Sequence, residues 1–194
     1  YGRAIARLHN LADGLPTLLR RPRIDFESIV ERPIAAFESV VTHRLDAVAY
    51  AREVAEVLRP LISALPVAAP RYGLVHGDVI PSNVQVTPEG EVAVLDFDFC
   101  GYCWRAYDVA TYLGEVAFWE AAAAAADAFL DGYGEVRPLR EWELRMLPAF
   151  TAARHIQSLG TPAMNVNEWG SAYLSDCMID TLIGAIRKSM TELT

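Results

Sequence analysis

Between Leu74 and Asp98 the sequence reads LVHGDVIPSNVQVTPEGEVAVLDFD. Three side chains in this stretch, Asp78, Asn83 and Asp96, carry the oxygen donors that a hard divalent cation prefers. A carboxylate is also a group that can orient a hydroxyl and take its proton as it attacks. The three are spread over nineteen positions, so their chemistry depends on local structure that gathers them. Val84 to Thr87 and Val92 to Leu95 are rich in β-branched residues, and Pro88-Glu89-Gly90 between them is turn material. That pattern predicts a β-hairpin with Asn83 and Asp96 at its open end. Leu74-Val75-His76 reads as a short extended piece, and Gly77 with Pro81 opposes continuation of either helix or strand. His76 to Ser82 is then a tight loop facing the open end, with Asp78 beside Asn83 and Asp96. Asp and Asn favour turns and strand ends for local reasons as well; it is the set, in this order, that points to chemistry.

His76-Gly77-Asp78, four residues, then Asn83 fits the pattern H-x-D-x-x-x-x-N, and Asp96-Phe97-Asp98 ends the second strand at the metal-binding D-F-G position of kinases. With Gly after His, this resembles the aminoglycoside phosphotransferase and choline kinase-like family. The continuation Asp98-Phe99-Cys100-Gly101-Tyr102 and Tyr107-Asp108-Val109-Ala110 is similar to its bacterial small-molecule and Ser/Thr kinase branch, which includes homoserine kinase-like members. The resemblance implies transfer of the γ-phosphate of ATP, with Mg²⁺, to a hydroxyl of a small molecule such as an amino sugar, an amino alcohol or a homoserine-like compound. Such transfer needs Mg²⁺ to neutralise phosphate charge and a carboxylate to receive the acceptor's proton. Asp96 is the natural principal metal ligand, Asn83 supplies a neutral oxygen, and Asp78 is the base. His76 is either an alternative base or, as the family implies, a brace for the loop. Asp98 is a supporting group or faces substrate, and Asp108 caps its helix or hydrogen-bonds the loop. The acceptor pocket is expected from the helices after Asp98, with Glu115, Glu168, Trp169 and Asp176 as candidates. Ser/Thr protein kinase-like activity and a noncatalytic kinase-like binding module are the alternatives.

The chain of 194 residues is 53% hydrophobic, enough for one compact domain. Twenty-five acidic against seventeen basic residues give a net charge of −8, which argues against affinity for nucleic acid other than a nucleotide, or for an anionic membrane. No apolar run approaches a membrane span, and three cysteines are too few for a disulfide scaffold; a cytoplasmic enzyme is the expectation. Apolar spacing predicts helices over Tyr1 to Leu11, ended by Asp13-Gly14-Leu15-Pro16, and over Arg44 to Leu65; Tyr107 to Phe118 also reads as helix, and Ala121 to Tyr133 as another, rich in the strongest helix former. Two more are predicted over Leu139 to Leu159 and Ser171 to Met190, separated by Gly160-Thr161-Pro162 and an irregular Asn165 to Gly170. The expected fold is therefore α+β, a protein kinase-like C-terminal lobe, mostly helical, with a small β-hairpin set carrying the catalytic loop. It occupies residues 1–194 as a single lobe. The family also has a β-rich N-terminal lobe whose lysine anchors phosphates. This sequence has no glycine-rich loop and its one lysine is Lys188, so that lobe is expected to be absent from the chain, which alone would be incomplete for activity.

His9 sits in an apolar helical pattern and reads as a packing or polar contact rather than a ligand. Arg20-Arg21-Pro22-Arg23 is a local basic cluster expected on a solvated loop face. Cys100-Gly101-Tyr102-Cys103 is similar to thiol-disulfide motifs, but it lacks the strand-to-helix context of a redox site, and Cys177 and His155 stand at no recognisable zinc spacing. Packed thiols are the expectation.

Overall fold

The computed structural model describes residues 1–15 and 20–193, so Pro16 at the expected end of the first helix lies outside the described residues. The chain divides into two compact units, Tyr1–Arg23 with Pro66–Leu147, and Ile24–Leu65 with Pro148–Thr194.

In the first unit α1 (Gly2–Asp13) buries Gly2, Ile5, Ala6 and His9, a stripe of helical period. Leu11, which sequence spacing placed on the apolar face, is exposed. Next along this unit come β1 (Tyr72–Val75), β2 (Val84–Val86), β3 (Val92–Val94), β4 (Gly101–Trp104), α4 (Arg105–Val116) and α5 (Ala122–Val136). The predicted hairpin is β2 with β3, antiparallel, Val84 opposite Val94 and Val86 opposite Val92. Its turn is closed by the Gly90 N–H on the Thr87 carbonyl at 2.9 Å. A second antiparallel pair joins β1 to β4, Tyr72 opposite Trp104 and Val75 opposite Gly101. Strand β4 was not foreseen. It carries Cys103 into the core, with Cys100 buried just before it and neither in a disulfide; burial pushes the Cys100 thiol up from its ordinary value. Helix α1 packs against α5 and β1, and α4 against α5, β1 and β4. The Tyr112 ring stacks on Phe129 with centroids 4.0 Å apart, and Tyr1 meets both edge-on at 5.7 and 5.8 Å. Truncating a buried ring such as Phe129 to alanine costs about 3–5 kcal/mol in transfer and cavity energy.

Charge also lies inside this unit. Asp13, in the last turn of α1, accepts from Arg105 Nη2 at 2.6 Å and from Arg137 Nη1 at 2.8 Å. Arg105 also donates to the Leu74 carbonyl and Arg137 to the Pro70 carbonyl. Burial raises the Asp13 carboxyl, but the two guanidiniums outweigh it and hold the group below the usual range. The end of α1 is thus tied to the strand that leads into the loop at His76.

The second unit is helical among its described residues. A π turn over Glu27–Glu31 runs into α2 (Arg32–Val40), followed by α3 (Leu45–Ser63), the greater part of α6 (Glu141–Met164), α7 (Val166–Trp169), a 3₁₀ turn at Ala172–Leu174 and α8 (Asp176–Leu193). Helix α3 packs on α2 and α8, and its Val54, Leu58 and Ile62 are buried. Two sequence readings are corrected here. Helix α6 does not stop before Gly160-Thr161-Pro162 but continues to Met164. A Cβ on Gly160 would stand 2.2 Å from the Pro33 Cα, so the glycine that looked like a terminator permits two helices to cross at backbone distance. The π turn and the α2 helix it runs into, unread in the sequence, follow a reciprocal pair in which the Ser28 N–H donates to Asp25 Oδ1 at 3.1 Å and the Asp25 N–H to Ser28 Oγ at 2.8 Å. No described helix is long and apolar enough to cross a membrane.

Candidate active site

The loop after β1 takes its shape from one side chain outside it, Asp108, and from one of its own, His76. Gly77 has φ 82°, a left-handed conformation that glycine adopts without a Cβ penalty. The turn it makes aims two successive backbone amides at Asp108 in the first turn of α4. The His76 N–H donates to Asp108 Oδ2 and the Gly77 N–H to Asp108 Oδ1, both at 2.8 Å. Of the two roles open to Asp108, the geometry gives the loop contact, since α4 has no side-chain cap bond at its start. The carboxylate is fully buried. Burial raises its pKa, yet the hydrogen bond from His9 and those from the two amides more than offset this and hold it below the usual carboxylate range.

His76 braces the other side. Its Nε2 lies 2.8 Å from the Leu95 carbonyl, which can only accept, and its Nδ1 lies 3.2 Å from the Asp78 N–H, which can only donate. The ring is therefore the Nε2–H tautomer with both nitrogens engaged, and it tilts against Phe97 with centroids 4.6 Å apart. These bonds fit a brace and leave no ring nitrogen for a base.

Asp78 and Asn83 are buried together. Asn83 Nδ2 donates to Asp78 Oδ2 at 2.9 Å and to the Asp78 carbonyl at 3.0 Å, inside a loop closed by its own Ile80-to-Asp78 and Asn83-to-Ile80 backbone bonds. The Leu95 N–H then donates to the Asn83 carbonyl at 2.9 Å, so the residue before Asp96 is bonded to both His76 and Asn83. Asp96 itself has φ 60°, a region few residues other than glycine occupy but which Asp tolerates. Its Oδ1 accepts the Asp98 N–H at 3.3 Å. Backbone bonds thus bring the segment carrying Asp96 to the loop that carries Asp78 and Asn83.

The donor set fits a hard divalent cation that keeps other ligands of its own. With the Asn83 nitrogen committed to Asp78, its Oδ1 is the atom it can offer a cation, and Asp96 adds an exposed carboxylate. Mg²⁺ characteristically takes one or two such protein oxygens and completes its shell with phosphate and water. Among the described residues no group of three or more His, Cys, Asp or Glu could hold a metal on its own. Elsewhere in this unit α1, α5 and the hairpin line a cleft of about 820 Å³. Asp78, Asn83 and Asp96 are not in its wall.

The remaining candidates fall elsewhere. Asp98 is exposed beside Asp96, and Glu115 is exposed near the end of α4. Glu168, Trp169 and Asp176 belong to the second unit. Trp169 meets Tyr173 edge-on at 6.4 Å, while Asp176 accepts from Arg44 at 3.3 Å and lies 3.2 Å from His43 Nε2. Sequence reasoning missed the partners of His9. Its Nε2 lies 2.9 Å from Asp108 Oδ2, and its Nδ1 lies 2.9 Å from the Tyr133 hydroxyl. The available signal was its place on the buried face of α1, four residues after Ile5; nothing in the sequence pointed to Tyr133.

The model of the phosphotransferase enzyme family matches residues 1–145. An uncharacterised protein of Deinococcus radiodurans is 34% identical over 178 residues, 90% of this chain and 52% of that protein. A homoserine kinase of Phenylobacterium zucineum is 35% identical over 154 residues, 76% of this chain and 45% of the kinase. The chain spans about half the length of the curated relatives it matches. Among solved structures, a microcompartment-associated aminopropanol kinase superposes with a TM-score of 0.75 at 24% identity, covering 97% of this chain and 58% of that one. A choline kinase from Streptococcus pneumoniae gives 0.69 at 15%, covering 96% and 63%. At these identities the likeness is one of fold.

Proposed function

The chain belongs to the phosphotransferase enzyme family, and on that premise we propose that it is the catalytic and substrate-binding lobe of an ATP-dependent kinase that phosphorylates a hydroxyl of a small molecule. The observation that carries this reading is the Asn83-to-Asp78 hydrogen bond, in a loop to which the segment bearing Asp96 is bonded through Leu95. Asp78 orients the acceptor hydroxyl and takes its proton as the oxygen attacks. Asn83 fixes the Asp78 carboxylate with its nitrogen, which leaves its oxygen to hold a metal for which Asp96 would be the charged ligand. Bound there with ATP, Mg²⁺ neutralises phosphate charge as it builds on the leaving and transferred groups. His76 and Asp108 hold the loop so that these groups need no reorganisation when substrate arrives, the source of most of the rate in phosphoryl transfer.

The acceptor class is an amino alcohol, an amino sugar or a homoserine-like compound. The relatives named as homoserine kinases support it, and a net charge of −8 favours a cationic acceptor through charge complementarity. The phosphate-anchoring elements that this sequence lacks are assigned to a separate N-terminal lobe of the full-length protein. The test is a screen of these acceptors, and of Ser/Thr-containing proteins, with the full-length protein and Mg²⁺-ATP, read as ADP release and phosphorylated product. Transfer to a small-molecule hydroxyl is expected. Phosphorylation of a protein and of no small molecule would reverse the acceptor class, and nucleotide binding without transfer to any acceptor would favour a noncatalytic module.

A further inference from the structure

We propose that His9 is a positioning residue for the catalytic loop, its imidazole oriented by Tyr133 and in turn orienting the Asp108 carboxylate that holds the backbone from which Asp78 projects. The inference rests on the phosphotransferase reading for the role of Asp78, but not for the hydrogen bonds themselves.

Three elements meet at His9. The imidazole comes from α1, Tyr133 from α5 and Asp108 from α4, and all three side chains are fully buried. Asp108, ionised, can only accept, so His9 Nε2 carries the proton it donates across 2.9 Å. Burial disfavours the charged imidazole, and Arg105 and Arg137 oppose its protonation further, outweighing the pull of Asp108 and holding its pKa below the ordinary value. The ring is therefore neutral, its Nδ1 is an acceptor, and the Tyr133 hydroxyl must donate to it across 2.9 Å. Every proton in the series has one place to be: Tyr133 to His9, His9 to Asp108, and the His76 and Gly77 amides to Asp108 from the other side.

The consequence for Asp108 is rotational. Oδ1 takes the Gly77 amide, while Oδ2 takes both the His76 amide and the His9 imidazole. Without the His9 donor, Oδ2 keeps a single bond and the carboxylate plane is set by the loop it should be setting. All three partners are fully buried, so bulk solvent does not replace the donor when an apolar side chain fills its space. A loosened 76–78 backbone moves Asp78 relative to the acceptor, and misplacement by about 1 Å costs on the order of 10²-fold in rate.

The test uses the full-length protein with His9→Leu, His9→Gln and Tyr133→Phe. Leucine fills the space without a donor, whereas the glutamine nitrogen can reach the position of Nε2 and donate to Asp108. His9→Leu is expected to lower kcat on the order of 10²-fold with the KM for the acceptor little changed. It should also raise amide hydrogen exchange at His76 and Gly77 about tenfold or more relative to other core amides, the factor carried by a hydrogen bond to a charged group. His9→Gln should recover most of both effects, and Tyr133→Phe should shift both in the same direction by less. A His9→Leu protein that is merely less stable, with kcat per folded molecule and exchange at the two amides unchanged, would make His9 a packing residue and overturn the proposal. If His9→Leu does not fold, Tyr133→Phe decides in its place, and unchanged exchange and kcat there overturn the proposal equally. If the wild-type protein transfers no phosphate, the functional reading fails, while exchange at His76 and Gly77 still decides whether His9 positions the loop.

Discussion

Replacing Asp108 by asparagine alters the side chain by one atom type, and its cost can be worked from the hydrogen bonds. Oδ1 accepts one N–H, from Gly77, and Oδ2 accepts two, from His76 and His9. An asparagine presents one oxygen and one NH₂, so whichever way it turns, its NH₂ faces a donor. The less damaging orientation puts NH₂ toward Gly77 and leaves that buried amide without an acceptor, a cost of about 1–3 kcal/mol. The two surviving bonds lose their charge assistance, roughly 1 kcal/mol each. Relief from burying a carboxylate returns part of this, giving a net destabilisation of about 2–4 kcal/mol. Against a total stability of about 5–15 kcal/mol that is severe. With a urea slope of about 2 kcal/mol/M, the unfolding midpoint should drop by roughly 1–2 M. Urea titration of the full-length protein measures it, with Asp98→Asn, at an exposed carboxylate, expected to stay within about 0.5 kcal/mol of wild type. An Asp108→Asn midpoint indistinguishable from that control would refute the claim that this carboxylate holds the loop.

Asp96→Asn keeps a residue type that tolerates positive φ and removes the charge; it should raise the Mg²⁺ concentration needed for half-maximal activity, and an unchanged Mg²⁺ dependence would count against Asp96 as a ligand. Gly160→Ala places a methyl group 2.2 Å from the Pro33 Cα and should cost about 1–3 kcal/mol through overpacking, read as a lower thermal midpoint. Stability should also fall on acidification in two stages. The folded-state pKa of His9 is depressed, so as pH drops below about 6.5 the unfolded chain gains a proton that the folded chain resists, and stability declines. Asp13 and Asp108 are depressed as well, so their contribution is present above about pH 4 and is lost as pH falls further. Urea midpoints measured from pH 8 to pH 3 check both stages, and His9→Gln should reduce the first.

What the sequence made legible was local. Two β-branched runs around Pro88-Glu89-Gly90 specify β2 and β3 with their turn, and Gly77 and Pro81 mark the loop, because those residue types restrict their own backbone. The helices over residues 2–13 and 45–63 follow from apolar period in the same way, and that over 122–136 from its alanine content. The misses have nonlocal causes. Gly101–Trp104 is a strand because it pairs with Tyr72–Val75 about thirty positions away, while its own composition of glycine, cysteine and aromatics signals little. Gly160 reads as a helix stop until Pro33 is seen against it, packing that overrides propensity. In the candidate site, motif spacing located Asp78, Asn83 and Asp96. The support from His9 spans 99 positions to Asp108 and 124 to Tyr133, separations at which sequence periodicity carries no information.

The central claim is that Asp78 receives the acceptor's proton, and Asp78→Asn in the full-length protein tests it most directly. Asparagine retains an oxygen to accept the Asn83 amide bond that Asp78 Oδ2 now receives at 2.9 Å, so folding and Mg²⁺-nucleotide binding should persist. Turnover on the acceptor identified by the screen should then fall by about 10²- to 10⁴-fold, the usual size of a general-base contribution. Near-normal turnover in a folded, nucleotide-binding Asp78→Asn protein would contradict the account.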